Sequence, residues 1–143
     1  MKKIQTSQNK CIRFCLKLGN RTHIGTEEFR NINWLPTKER FQQCVCVNIL
    51  KYFKKTSPAY SSEIYHPTKQ SHNTRMSMLK LHLPFRTSNQ GQRGLSYIGP
   101  KLWNKLPSEL KSIESLNTFK HTIKEIFFQN LKREEDDIYI YYW

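Results

Sequence analysis

Apolar residues recur at helical spacing in three long segments of the chain. In residues 4–18, 38–55 and 115–131 they fall three or four positions apart, with lysine and polar residues between them. That spacing places the apolar side chains on one face of an α-helix. We therefore expect these three helices to supply the core of a mostly α-helical fold.

Shorter helices are predicted between the long ones, because proline, glycine and capping residues interrupt the pattern. Thr26 is a candidate N-cap with two glutamates after it, and Pro100 suits the first position of a helix that carries Trp103. Pro107 cannot continue that helix. The predicted short helices are residues 26–33, 59–64, 100–106 and 108–111.

One short β-hairpin is predicted before Pro100. Leu79–Leu83 alternates apolar and polar residues, as a half-buried strand does. Leu95–Ile98 is the expected partner strand, and the turn is expected at Gln90–Gly91. The resulting fold class is a small helical domain with one hairpin.

The chain is expected to divide into four segments. Residues 65–78 are polar and lack a sustained period, which is typical of a flexible linker. The predicted segments are a helical region at 1–64, the linker at 65–78, the hairpin and helices at 79–132, and an acidic and aromatic tail at 133–143.

Positive charge is concentrated in the first three quarters of the chain. The 143 residues include 24 Lys and Arg against 11 Asp and Glu, a formal net charge of +13. Residues 1–111 hold 20 of the basic and 5 of the acidic residues. Such a surplus favours a polyanionic partner, since bound phosphates release condensed counterions. RNA or DNA is the expected partner; a solvated basic surface is the alternative.

The candidate phosphate contacts lie around the predicted hairpin and the helix after it. They are interleaved with the aromatic residues Phe85, Tyr97 and Trp103, and basic residues can follow a phosphate backbone while rings stack on bases. Leu102 and Leu106 accompany Trp103, which favours a core role for that ring. The predicted nucleic-acid-binding residues are Arg86, Arg93, Lys101 and Lys105.

No catalytic, cofactor or metal site is predicted. Asp136 and Asp137 are the only aspartates and belong to a charged tail, so the paired carboxylates of two-metal chemistry have no third partner. Cys44 and Cys46 would point about 200° apart on one helix, given about 100° per residue. Buried thiols are therefore expected, with a zinc-bound module as the alternative.

No run of eighteen apolar residues and no secretory signal is present in the sequence. We therefore expect no membrane association and an intracellular location, with reduced thiols.

The segment from Arg86 to Leu110, with the Ser115-Leu-Asn-Thr-Phe-Lys120 helix start, resembles the C-terminal end of non-LTR (LINE-like) retrotransposon reverse transcriptases. Upstream, Asn33-Trp-Leu-Pro36 and Ser57-Pro-Ala-Tyr60 are similar to motifs that follow the palm in that family. The resemblance covers roughly residues 5–130. The matching residues of the C-terminal segment are Arg86, Thr87, Ser96, Tyr97, Gly99, Lys101, Trp103, Asn104, Leu106, Pro107, Leu116, Phe119 and Lys120.

The resemblance implies a thumb-like region that supports a polymerase on its template. The palm with its paired aspartates has no counterpart here, so the chain is expected to be a fragment or remnant that is not an enzyme by itself. Residual nucleic-acid binding is the expected activity, and a polymerase palm domain is a further expected partner. The alternative is a structural, partner-docking helical module without nucleic-acid binding.

Overall fold

A computed structural model describes residues 2–68 and 80–140, with side chains described from residue 3 to residue 132. Within these residues the fold is mostly helical, which confirms the predicted class. A 3-10 turn at Gly91–Arg93 precedes the fifth helix. The α-helices are α1 (Lys2–Cys15), α2 (Thr26–Asn31), α3 (Thr37–Phe53), α4 (Ser61–Ile64), α5 (Leu95–Lys105), α6 (Ser108–Lys111) and α7 (Leu116–Ile140).

The chain forms two compact units. Unit 1 consists of the residues up to Phe41 together with those from His121 onward, and unit 2 consists of Gln42–Lys120. Unit 1 therefore holds α1, α2 and most of α7, whereas unit 2 holds α4, α5, α6 and most of α3.

The core of unit 1 is a cluster of aliphatic and phenylalanine side chains. Phe128, on α7, is almost fully buried, and the cations of Arg30 and Lys124 lie 5.5 and 5.9 Å from its ring centre. Such cation–ring contacts add to the packing. The buried members of the cluster are Ile12, Ile24, Phe29, Leu35 and Phe128.

Glutamine side chains on α1 fix the chain that enters α3. The Gln8 amide donates to the Leu35 carbonyl at 2.8 Å, and the Gln5 carbonyl oxygen accepts from the Thr37 N–H at 2.8 Å. Thr37 also donates its hydroxyl proton to Gln8 at 3.0 Å. These bonds satisfy main-chain groups that would otherwise lack a helical partner.

Three helices end in the same way, with a residue other than glycine in the left-handed region. Lys17, Asn33 and Lys55 have φ of 53°, 57° and 55° after α1, α2 and α3. At each end two main-chain bonds close the turn, as from Leu18 to Arg13 and from Lys17 to Phe14 after α1. This is the Schellman pattern, whose left-handed position glycine normally takes. All five glycines are described, and none has a positive φ.

A chain of aromatic rings organises the core of unit 2. Trp103, on α5, is fully buried and stacks on Phe53 of α3 at 5.5 Å and 28°. The Phe119 ring is tilted at 43° to that of Trp103, with the ring centres 6.1 Å apart. Beyond Phe53, the ring of Tyr52 connects to that of Tyr65 at 5.7 Å. The predicted core role of Trp103 is thereby confirmed.

Gly99 allows α5 to approach Tyr65 closely. A β-carbon built at Gly99 would lie 2.7 Å from Tyr65 Cε1, closer than real contacts allow. The Tyr65 hydroxyl is buried there without a hydrogen-bond partner among the described residues. Burial, with smaller contributions from Cys46 and Tyr60, raises the pKa of Tyr65 to about 12.

The β-hairpin predicted between residues 79–83 and 95–98 is not confirmed. Leu95–Ile98 form the first turn of α5, which begins after the N-cap Gly94. Leu81 instead makes an isolated antiparallel bridge with Pro67. Pro100 lies inside α5 rather than at its start. A segment of four residues is too short for its apolar pattern to distinguish a strand from the half-buried first turn of a helix.

The predicted linker falls largely outside the described residues, whereas only residues 141–143 of the predicted tail at 133–143 do so. Of the linker at 65–78, residues 69–78 are not described, whereas Tyr65 belongs to the core and residues 66 and 68 bond to residues 82 and 80. Leu79, the first residue of the predicted strand, is not described either. Helix α7 continues to Ile140, beyond the predicted end at residue 131.

The buried side of α3 differs from the single face that the sequence spacing predicts, which comprises Phe41, Cys44, Val45, Asn48, Ile49, Tyr52 and Phe53. Val45 and Ile49 are buried as expected, but Phe41 and Cys44 are exposed. Cys46 and Leu50 are buried instead. Residues 45–50 include buried positions on more than one side of the helix, and for such a helix a single-face pattern does not identify the core.

Candidate nucleic-acid interface

The loop before α5 is closed by hydrogen bonds around Ser88. Its hydroxyl accepts from the Gly91 N–H at 3.1 Å, and its carbonyl accepts from the Gln92 N–H at 3.1 Å. The Gln92 amide also donates to the Arg86 carbonyl at 3.0 Å. The residues expected to turn a hairpin therefore form a compact loop ending in the 3-10 turn.

This loop carries two of the four predicted binding residues, Arg86 and Arg93. Both side chains are exposed. The aliphatic part of Arg86 lies over Gly91, since a β-carbon there would be 3.3 Å from Arg86 Cδ. Arg93 is the last residue of the 3-10 turn, next to the N-cap of α5. The loop presents both guanidinium groups to solvent.

Lys101 and Lys105 occupy one exposed face of α5. They are four residues apart, and side chains at that spacing are neighbours on a helix surface. The Lys101 ammonium group lies 5.5 Å from the ring centre of Tyr97, one turn earlier. Tyr97 is half-buried, so part of its side chain is packed within unit 2 while its ring lies near the Lys101 ammonium group.

The structure thus arranges the four predicted residues as two pairs, one on the loop and one on the helix. None of the four forms an ion pair with any residue that the structure describes, and no described hydrogen bond joins the pairs. Pro100 and Trp103 lie buried on the same helix. The helix that carries the lysines is therefore anchored through its other side.

A further pair of lysines, Lys80 and Lys111, lies beside Asn104. The Asn104 amide bonds to both main-chain groups of Leu81, donating at 2.8 Å and accepting at 3.1 Å. Lys111 donates to the Asn104 carbonyl at 3.4 Å. Partial burial and then the charge of Lys80 lower the pKa of Lys111. Lys111 was not predicted as a binding residue, because it comes near Lys80 through the Asn104 bonds to the neighbouring Leu81.

The cysteines do not form a metal site within the described part of the chain. No group of three or more His, Cys, Asp or Glu side chains is placed there to hold an ion. Cys46 is buried, and burial raises its pKa to about 12, so its thiol stays protonated and unsuited to zinc. Cys11, Cys15 and Cys44 are exposed, so the expectation of buried thiols is correct for Cys46 alone.

No helix among the described residues has the length and apolarity needed to cross a bilayer.

Comparisons with protein-family models, with curated proteins and with solved structures find no match to this chain.

Proposed function

We propose that the chain is the C-terminal, post-palm region of a non-LTR retrotransposon reverse transcriptase and that it binds nucleic acid without catalysing a reaction. The support for the family is the order of motifs between Arg86 and Lys120. The support for binding is the exposure of Arg86, Arg93, Lys101 and Lys105 without carboxylate partners among the described residues.

The role assigned to these four residues is contact with phosphate groups. A guanidinium or ammonium group that is not already paired can bind phosphate without first breaking an ion pair. RNA and DNA share this backbone chemistry, so the surface would bind either of them. A strong dependence on salt concentration is the expected signature.

The proposal is tested with a lysine pair and a matched control pair in the same unit. Lys101→Gln/Lys105→Gln removes two charges from the proposed surface, and Lys51→Gln/Lys55→Gln removes two charges at the end of α3. Fluorescence anisotropy with labelled 16-nucleotide RNA and DNA strands measures affinity between about 50 and 200 mM salt.

The first variant is expected to lose about tenfold or more in affinity at low salt. The slope of log K against log salt should become shallower by about 1.4, because single strands contribute about 0.7 per phosphate contact. The control is expected to change affinity by less than threefold. Equal losses of affinity in the two variants would show that the overall positive charge of the protein, and not this surface, attracts the nucleic acid. Absence of binding at low salt would overturn the binding proposal.

A second candidate is a docking module for a polymerase palm domain, favoured by exposed apolar side chains just before the loop. Phe85 is 89% exposed, and Leu83 is 42% exposed. Under this alternative the isolated chain should self-associate through that surface. Light scattering on the wild type and on Leu83→Ser/Phe85→Ser tests it: association lost in the variant, with no nucleic-acid binding in either protein, would favour docking.

A further inference from the structure

Helix α1 of unit 1 carries a second basic surface that the proposed interface does not include. Lys10, Arg13, Phe14 and Lys17 share one face by their spacing of three, four and seven residues, while Ile12 on the other side is fully buried. These four residues, with Leu18 and Asn20, line an open cavity of about 690 Å³. That volume is within the range of about 300–1,000 Å³ that small-molecule sites occupy.

Two hydrogen bonds to main-chain carbonyl groups fix the end of α1 and the turn that line this cavity, which we call the α1 groove. Arg13 Nε donates to the Thr22 carbonyl at 2.9 Å, which ties the helix to the turn after it. The Thr22 N–H in turn donates to the Gly19 carbonyl at 3.0 Å. Lys17 occupies the left-handed position of the helix end, with φ of 53°. The bond to Thr22 therefore sets the direction of the Arg13 side chain before any ligand arrives, and the left-handed backbone sets where the Lys17 side chain starts.

The groove is strongly cationic because acidic residues are missing from this part of the sequence. The first carboxylate in the chain is Glu27. Three basic side chains thus converge on one cavity without an acidic neighbour along α1. The basic residues of residues 1–26 are Lys2, Lys3, Lys10, Arg13, Lys17 and Arg21.

Phe14 distinguishes this groove from a simple basic helix end. Cations in the last turn of a helix complement its dipole, which accounts for charge there but not for an aromatic ring among the charges. The ring is 86% exposed and lines the same cavity as the three cations. An open ring face beside phosphate-binding groups is the arrangement with which proteins stack unpaired bases.

We infer that the α1 groove binds single-stranded nucleic acid, with one base stacked on Phe14 and the flanking phosphates bound by Lys10, Arg13 and Lys17. A duplex would not offer a free base face to the ring. An anionic membrane is the less favoured occupant, because an interfacial helix inserts a broad apolar face. On α1 the apolar residue Ile12 is buried in unit 1 instead.

The site stands on residues of unit 1 and does not depend on Lys101 and Lys105. Binding is therefore measured in the full-length Lys101→Gln/Lys105→Gln background, with fluorescein-labelled 12-nucleotide oligo(U) and oligo(dT) and with a 12-base-pair duplex. Phe14→Ala tests stacking, Phe14→Tyr restores a ring, and Tyr60→Ala is the control for loss of an exposed aromatic residue. Lys10→Gln/Lys17→Gln tests the phosphate contacts.

Phe14→Ala is expected to weaken binding of both single strands about fivefold or more, with Phe14→Tyr and the Tyr60→Ala control close to the background protein. Lys10→Gln/Lys17→Gln should make the salt slope shallower by about 1.4. Circular dichroism and thermal unfolding establish that each variant is folded. We expect all of them to fold, because the substituted side chains are exposed.

Three outcomes would overturn the inference. The first is unchanged single-strand binding in folded Phe14→Ala. The second is a loss of duplex binding in Phe14→Ala that equals its loss of single-strand binding, which would assign the groove to phosphate contact alone. The third is loss of binding to phosphatidylserine vesicles with no effect on oligonucleotides, which would assign it to a membrane. Failure of the Lys101 and Lys105 variant to change binding would affect the proposed function and leave this inference standing.

Discussion

The two units stabilise their cores by different means. Unit 1 combines a cluster of aliphatic and phenylalanine side chains with polar clamps, such as the Gln8 bond to the Leu35 carbonyl and the Lys124 bond to the Asn33 carbonyl at 2.6 Å. Unit 2 depends on a chain of rings centred on Trp103 and on a close contact at Gly99. We expect unit 1 to tolerate a single core substitution better, because aliphatic side chains can repack around lost atoms more readily than the neighbours of one large buried ring.

The largest difference is expected between two substitutions to leucine. Trp103→Leu should lower the free energy of unfolding by about 3 kcal/mol or more, because Phe53, stacked on the fully buried ring, and Phe119, tilted against it, both lose that contact. Phe128→Leu should cost only about 1–2 kcal/mol, since the aliphatic cluster can partly fill the space. Urea unfolding followed by circular dichroism measures both, and equal costs would contradict the comparison.

Alkaline pH is expected to destabilise the protein through two buried groups of unit 2. The pKa of Cys46 is raised from 9.0 to about 12, and that of Tyr65 from 10.0 to about 12. Between about pH 9 and 12 the unfolded chain loses protons that the folded chain keeps. The free energy of unfolding therefore falls by about 1.4 kcal/mol per pH unit for each group, above about pH 9 for Cys46 and above about pH 10 for Tyr65, and both contributions are intact below pH 9.

Urea midpoints measured from pH 8 to 11 test this expectation. Cys46→Ala and Tyr65→Phe should each reduce the alkaline loss, whereas Cys44→Ala, which removes an exposed thiol, should leave it in place. At pH 7, Tyr65→Phe is expected to be neutral or to stabilise by about 1 kcal/mol, since it removes a buried hydroxyl that lacks a partner among the described residues. A loss above 1 kcal/mol would show that the hydroxyl is satisfied.

A smaller effect is expected from a single methyl group in unit 2. Gly99→Ala should destabilise by about 2 kcal/mol, because the new β-carbon would lie 2.7 Å from the Tyr65 ring. Gly19→Ala in unit 1 is the matched control, since its β-carbon would meet Thr22 Oγ1 at an ordinary 3.4 Å. Thermal unfolding of the two variants tests the contrast, and a milder effect at Gly99 than at Gly19 would contradict it.

The smallest expected effect has the opposite sign. Lys55→Gly should stabilise by about 1 kcal/mol, because glycine adopts the left-handed conformation without the cost that lysine bears. Lys17→Gly should do the same in unit 1, but it also removes a cation from the α1 groove. We expect a raised melting temperature in both variants and weaker oligonucleotide binding in Lys17→Gly alone. That result would assign the stability change to the left-handed backbone and the binding change to the Lys17 cation.

The sequence predicts the helices well and their packing less well. Apolar periodicity with the proline and serine signals locates all three long helices, and Trp103 with its leucines is correctly assigned to the core. The wrong element is the hairpin, because the short segment Leu95–Ile98, expected as the partner strand, is compatible with either strand or helix, and it forms the first turn of α5 after the N-cap Gly94. Periodicity also misplaces the buried side of α3, which includes buried positions on more than one side.

The candidate sites divide in a similar way. Arg86, Arg93, Lys101 and Lys105 stand out in the sequence because they alternate with aromatic residues, and the structure places all four in solvent. The α1 groove is harder to find, since Lys10, Arg13 and Lys17 resemble any solvated helix face. Only the turn at Gly19–Thr22 turns that face into a cavity. The apolar periodicity of a helix does not predict the contacts that the chain makes with it after the helix ends.

Because one thiol is buried and three are exposed, the exposed thiols give a reference rate against which opening of unit 2 can be measured. A small alkylating reagent should modify Cys11, Cys15 and Cys44 at the rate of free thiols. Cys46, 1% exposed, can react only when unit 2 opens. The ratio of the two rates, followed by mass spectrometry, gives the fraction of time that unit 2 spends open under native conditions, without denaturant.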